Sequence, residues 1–123
     1  MSSQERILLS HPKYELGKSA SGACFTLSGD LDAGGAARVL EAMEGEVSGA
    51  DLTSLDLEEL ELIDGAAVAR MVDLIRLLLS GSDRVRVLKS PQSLAHTIYR
   101  VGMLEGDTRL ELVEPRQEEG TTN

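Results

Sequence analysis

Apolar residues recur along this chain at two different spacings. Between residues 23 and 28 they alternate, with Phe25 and Leu27 on one side of the chain and Cys24 and Thr26 on the other. This period is typical of a half-buried β-strand. Apolar residues in stretches 7–9, 52–57 and 85–88 predict further strands, the first of them at a sheet edge, and residues 109–113 could form a last one.

Three other stretches place apolar residues every three or four positions, as in helices that pack against a core. The clearest runs from about residue 66 to residue 79, and Gly102 is placed to end the last of the three in a left-handed conformation. Asp32 and Asp64 precede the first two helices, where a carboxylate can accept hydrogen bonds from the first helical N–H groups. The stripes consist of Val39, Leu40, Met43 and Val47; of Val68, Met71, Val72, Ile75 and Leu79; and of Leu94, Ile98 and Val101.

The order of these elements is strand, strand, helix, strand, helix, strand, helix, with a possible terminal strand. Alternation of this kind predicts an α/β fold with a mixed sheet of four to five strands, three main helices and right-handed crossovers. A chain of 123 residues fits one domain. We place this domain at residues 1–113 and expect the polar tail, residues 114–123, to be disordered.

Charge narrows the range of partners. The chain carries 21 acidic and 12 basic residues, a net charge of −9, and its aromatic share is only 2%. Such a field repels nucleic acid and anionic lipid, and few rings are present on which bases could stack. The acidity indicates either a protein partner with a basic face or a charge that only maintains solubility.

The expected cellular location follows from the cysteine count, the first ten residues and the length of the apolar runs. A single cysteine, Cys24, cannot form an internal disulfide, which fits a reducing compartment. The first ten residues do not resemble a signal peptide, and the longest apolar run is too short to span a bilayer. We therefore expect a cytoplasmic protein that does not insert into a membrane.

The acidic and histidine residues do not form a recognisable catalytic or metal-binding motif. Turn and capping roles explain each of Asp30, Asp32 and Asp64 singly, and their spacing matches no known ligand set. His11 and His96 are far apart and no nucleophile motif accompanies them. We expect no metal, no cofactor and no enzymatic activity.

Three segments of the chain resemble motifs of one known domain family. Residues 27–32, Leu-Ser-Gly-Asp-Leu-Asp, resemble the family's turn before its first helix. Residues 55–64 resemble its Leu-Asp-Leu to Phe-Ile-Asp segment before the second helix, and residues 99–104 its helix-ending Gly-Leu. The family that these segments resemble is the STAS domain family of anti-sigma factor antagonists and sulfate transporter tails. The resemblance covers about residues 14–105 and implies a STAS-like fold.

The chain departs from the family at its regulatory loop. The family motif Asp-Ser-x-Gly carries a phosphorylatable serine, whereas this chain has Gly65 at that position and Ala67 at the family's glycine. A phosphate on residue 65 is therefore chemically impossible. Thr53 or Ser54 could substitute as phosphorylation sites, although both are ordinary strand residues. The resemblance implies a partner-binding surface made of Asp30, Asp32, Asp64, Gly65, Ala66 and Ala67.

Two functions follow as expectations from the resemblance. The first is an anti-sigma factor antagonist-like module that binds an ATP-binding, kinase-like anti-sigma factor and stays permanently unphosphorylated. The second is the cytoplasmic STAS subunit of a phospholipid-type ABC transport system, bound to a permease and its ATPase. Such a subunit needs no phosphoserine switch.

Overall fold

The structure of the chain is a computed structural model that describes residues 6–19, 23–47, 49–106 and 109–116. This part of the chain forms strands and helices in an α/β arrangement, as predicted. The strands are β1 (Arg6–His11), β2 (Tyr14–Lys18), β3 (Cys24–Leu31), β4 (Ala50–Asp56), β5 (Leu60–Leu62), β6 (Ser82–Leu88) and β7 (Leu110–Val113). The helices are α1 (Ala33–Glu44), α2 (Gly65–Ser80), α3 (Gln92–Arg100) and the short α4 (Met103–Gly106).

All the strands belong to one mixed sheet. Its order is β1-β2-β3-β4-β6-β7, and β5 lies off this path beside β3. Strand β2 runs antiparallel to both of its neighbours, β1 and β3, whereas β3, β4, β6 and β7 are parallel. Strand β4 pairs with the start of β3 and β5 pairs with its end, from Gly29 to Leu31. Both β4 and β5 therefore follow the same side of β3, one after the other.

The predicted count of four to five strands is wrong, because the described residues form a seven-stranded sheet. The two strands missing from the prediction are β2 and β5. Strand β2 contains a glycine and two charged residues, and it exists because β1 and β3 pair with it on both sides. Strand β5 has only three residues and lies within an acidic segment of the chain. The short α4 brings the number of helices among the described residues to four, in place of the three main helices predicted.

The core lies between one face of the sheet and the helices. Alternate residues of β3, β4 and β6 are buried, among them Phe25, Leu55 and Val87. Helix α2 buries most of its apolar residues and contacts α1, α3 and β6. The prediction that Val101 belongs to the core is wrong, because its side chain is 49% exposed after the last turn of α3. Gly102 adopts the predicted left-handed conformation, with φ of 77°.

Among the residues the structure describes, no helix is long and apolar enough to cross a membrane. Of the predicted polar tail, the structure describes residues 114–116. The remaining part, residues 117–123, lies outside the described residues.

Candidate functional site

Two helices begin side by side at one end of the sheet, and each is capped by a predicted aspartate. Asp32 Oδ1 accepts a hydrogen bond from the Gly35 N–H at 2.8 Å at the start of α1. Asp64 Oδ1 accepts one from the Ala67 N–H, also at 2.8 Å, at the start of α2. Because β3 and β5 are parallel neighbours, their carboxyl ends and the helices that follow meet at the same edge. Both predicted caps are confirmed.

Ile63 occupies the connection between β5 and α2. Its backbone N–H donates a hydrogen bond of 2.9 Å to the carbonyl of Leu31, the last residue of β3. Its side chain is 58% exposed, although isoleucine is usually buried. An aliphatic side chain is thus held at the surface between Asp32 and Asp64.

Gly29 lies within β3, just before Asp30, and has a left-handed backbone conformation. Its φ is 102°, and a Cβ there would lie 2.2 Å from the Lys13 carbonyl oxygen. The glycine N–H donates to the Glu59 carbonyl at 3.0 Å, and the next N–H, of Asp30, donates to the Lys13 carbonyl at 2.7 Å. Only glycine meets both the conformation and the close approach. It ties β3 to the start of β2 and to the turn before β5.

A concave pocket of about 480 Å³ lies beside Ile63. Asp30 and Asp32 line it, together with His11, Lys13 and Arg38. The pocket thus brings two carboxylates together with three basic side chains, so its local charge is mixed although the chain as a whole is acidic.

Tyr14 forms a rigid wall of this pocket. Its ring stacks on His11 with ring centroids 4.4 Å apart, and its hydroxyl accepts a hydrogen bond of 3.2 Å from Arg38 Nη1. Helix α1 approaches the ring so closely that a Cβ on Gly35 would lie 2.8 Å from it. The pocket wall and the start of α1 are therefore packed as one unit.

The carboxyl group of Asp32 is held in its charged form. The Gly35 N–H donates to it, and the cations of Lys13 and Arg38 add attraction, which lowers its pKa below the ordinary value of 3.8 despite some loss of hydration. The carboxylate therefore stays ionised at neutral pH.

Gly65, at the first position of α2, faces open space. A Cβ built on it would meet no atom within 4 Å, and both Gly65 and Ala66 are exposed. Gly65 borders a second concave area, a groove between α2 and α3 that includes His96 and Arg100. The start of α2 thus separates the pocket beside Ile63 from this groove.

Five of the six residues predicted to bind a partner are exposed at this edge of the sheet. Ala67 differs, because its side chain is fully buried at 0% exposure. It has no side-chain surface to offer a partner, and its N–H serves the cap made by Asp64. The exposed five are Asp30, Asp32, Asp64, Gly65 and Ala66.

The site residues predicted from sequence did not include Ile63, Lys13, Tyr14 or Arg38. The last three come from β2, the turn before it and α1, and only the tertiary structure brings them to Asp32. Ile63 did carry a signal, since it is an aliphatic residue directly before a helix cap, but its exposure is not visible from sequence.

The alternative phosphorylation sites lie elsewhere. Thr53 is 4% exposed, and its hydroxyl is 2.6 Å from the hydroxyl of Ser82 inside the protein. Ser54 is half-buried on β4. A kinase could not reach the Thr53 hydroxyl without opening the sheet. Within the described residues, no three His, Cys, Asp or Glu side chains are grouped so that they could hold a metal ion.

No known family model matches the chain, and no curated protein matches it either.

Proposed function

We propose that this chain is a non-enzymatic protein-binding module of the STAS type, similar to an anti-sigma factor antagonist. The observation that carries the proposal is the exposed Ile63 between the helix caps Asp32 and Asp64. Protein interfaces place apolar side chains at the centre and polar or charged ones at the rim, and Ile63 with its acidic neighbours has this arrangement. We name the surface of Asp30, Asp32, Ile63, Asp64, Gly65 and Ala66 the recognition surface.

The charge distribution supports a partner with a basic and partly apolar face. The recognition surface contributes three carboxylates, and Glu58, Glu59 and Glu61 precede its segment at residues 63–66. Lys13 and Arg38 add positive charge only at the adjoining pocket. Complementary charges accelerate association and select the partner, while the buried apolar contact supplies most of the affinity.

By the family resemblance, the first partner to consider is an ATP-binding, kinase-like anti-sigma factor. In that family a phosphate at the position of Gly65 would end binding through added charge. Residues 63–67 contain no hydroxyl group. We infer that this chain binds its partner permanently, without a phosphorylation switch in that loop.

A second candidate is supported by the same missing hydroxyl and by the burial of Thr53. The cytoplasmic STAS subunit of a phospholipid-type ABC system would use the same recognition surface against a permease or its ATPase. It would need no phosphate acceptor.

The test is affinity purification of the tagged protein from its host, with two matched variants. Ile63→Glu places a charge in the recognition surface. Ile7→Glu places the same charge on the edge strand β1, at an isoleucine of similar exposure, 49% against 58%. Both variants should fold, since both side chains are largely exposed.

We expect a protein captured by the wild type and by Ile7→Glu, and lost with Ile63→Glu. If the protein lost with Ile63→Glu is a kinase-like regulator, the result supports the first function. If it is a permease or transport ATPase, the result supports the second. If every captured protein is retained by Ile63→Glu, the recognition surface is not the binding site. Steady turnover of a nucleotide or an ester by the purified chain would contradict the non-enzymatic proposal.

A further inference from the structure

Arg116, three residues beyond β7, binds two separate connections of the fold. Its Nη2 donates to the carbonyl oxygens of Leu57, at 3.3 Å, and of Leu60. Its Nε donates to the Lys89 carbonyl at 3.1 Å. Its backbone N–H donates to the Ser90 carbonyl at 2.9 Å. One side chain therefore joins the turn before β5 to the connection before α3.

The guanidinium group suits this position because of its shape. It offers donors in a fixed plane, so several carbonyl oxygens can be bound at once, which a lysine ammonium on a flexible stem does less well. An ion pair with Glu61 on β5, at 3.5 Å from Nη1, adds a further contact. The side chain is 27% exposed, so these bonds are partly shielded from water.

The backbone on both sides of this contact bends sharply. Lys89 has φ of 55° and Glu114 has φ of 50°, a conformation that residues with a Cβ disfavour. Their side chains form an ion pair with a distance of 3.5 Å. The bends direct the chain after β7 back toward β5, and the surrounding contacts maintain them.

Strand β5 needs such a support. It has three residues and, in the described part of the chain, it pairs only with β3. So short a strand with one neighbour gains little from its own ladder. Leu60, whose carbonyl Arg116 binds, lies three residues before Ile63.

We propose that Arg116 is a positioning residue for the recognition surface: it holds β5 in place and so fixes where Ile63 and Asp64 are presented. The segment that follows β7 then contributes to the binding site by positioning it. The effect of Arg116 on β5 stands on its own, and its consequence for binding rests on the proposed function.

The direct test is backbone amide hydrogen exchange, which needs no partner. The N–H groups of Leu60 and Ile63 report on β5, because they bind the carbonyls of Leu57 and Leu31. In Arg116→Ala we expect their exchange to accelerate at least tenfold, relative to the amides of Leu74 and Ile75 in the core of α2. Local opening of this kind occurs below the free energy of global unfolding.

Two further variants complete the design. Arg86→Ala is the matched control, because it removes an arginine whose ion pair with Glu111, at 3.3 Å, joins β6 to β7 and does not involve β5. It should leave Leu60 and Ile63 unchanged. Arg116→Lys keeps the charge without the planar fork and should show the same local acceleration at smaller amplitude. If Arg116→Ala does not fold, Arg116→Lys provides the same test in its place.

Unchanged protection at Leu60 and Ile63 would overturn the proposal, as would an equal acceleration at all four amides. Once the partner is identified, Arg116→Ala should weaken its binding about tenfold, and Arg116→Lys should retain part of the lost affinity. If exchange changes as expected but neither Arg116→Ala nor Ile63→Glu affects binding, the positioning role stands and the proposed function fails.

Discussion

The N–H of Ile63 donates a hydrogen bond of 2.9 Å to the carbonyl of Leu31, and this bond joins the ends of two parallel strands. Leu31 is the last residue of β3 and Ile63 directly follows β5. The caps of α1 and α2 each come one residue later, so the bond sets their spacing. The recognition surface is thus built on backbone pairing and not on loop conformation.

Replacement of Gly29 by alanine should destabilise the protein strongly. The new Cβ would lie 2.2 Å from the Lys13 carbonyl oxygen in a backbone with φ of 102°. We expect a loss of about 3 kcal/mol, the upper end for local backbone strain, measured by urea unfolding. Gly34→Ala is the control, because its nearest neighbour is an Asp32 oxygen at 3.7 Å. It should stabilise α1 by about 0.5–1 kcal/mol. Equal stability of the two variants would contradict this account of the β3 backbone at Gly29.

Replacement of Gly65 by serine should be tolerated. The position is open on all sides, and serine is a slightly better helix residue than glycine, so stability should stay within about 0.5 kcal/mol of the wild type. The same change at Gly35 would press a Cβ to 2.8 Å from the Tyr14 ring and should cost about 1–3 kcal/mol. Urea unfolding of both variants tests the difference.

The Gly65→Ser variant also tests the proposed partner class. With a kinase-like partner and ATP, we expect phosphate on Ser in this variant, detected by mass spectrometry, together with release of the partner. The wild type should acquire no phosphate in this loop. If the variant binds its partner and neither accepts phosphate nor dissociates, the comparison with anti-sigma factor antagonists loses its main support.

Asp32 should contribute to the acid sensitivity of the fold. Because its folded-state pKa lies below 3.8, ionised Asp32 stabilises the protein above that pH, and the contribution is lost as pH falls through the lower folded value. Asp32→Asn keeps a capping oxygen but does not titrate. Its unfolding free energy should therefore fall less steeply below pH 3.8 than that of the wild type. Asp51→Asn, exposed on β4, is the control. Parallel curves for wild type and Asp32→Asn would refute the prediction.

The buried contact between Thr53 and Ser82 should behave as a coupled pair. Thr53→Val leaves the Ser82 hydroxyl without its partner at 2.6 Å, and we expect a loss of about 1–3 kcal/mol. Adding Ser82→Ala removes the unpaired group and should recover part of that loss. Urea unfolding of the two single variants and the double variant gives the coupling. Additive losses would show that the hydroxyls act independently.

Much of the fold follows from local pattern. Asp32 and Asp64 determine where two helices begin. The first N–H groups of a helix have no carbonyl partner within the helix, and the carboxylate that precedes it accepts a hydrogen bond from one of them. The alternation of apolar residues in β3 matches the burial of Phe25 and Leu27. Gly102 follows α3 in the left-handed conformation that glycine readily adopts. Each of these features depends on residues within four positions of one another.

The candidate site depends on contacts that are distant in sequence. Strands β2 and β5 exist because neighbours pair with them, and short strands interrupted by charged residues carry only a weak signal of their own. The hydrogen bond from Arg116 to the Leu57 carbonyl is likewise not predictable from local pattern, because the two residues are 59 positions apart. By itself the sequence determined the helix starts, the strand alternation, the overall acidity and the absence of a serine at position 65. Only the tertiary structure decided that Ile63 is exposed, that the two caps are neighbours and that Arg116 contacts Leu57 and Leu60, because pairing between distant strands sets these positions.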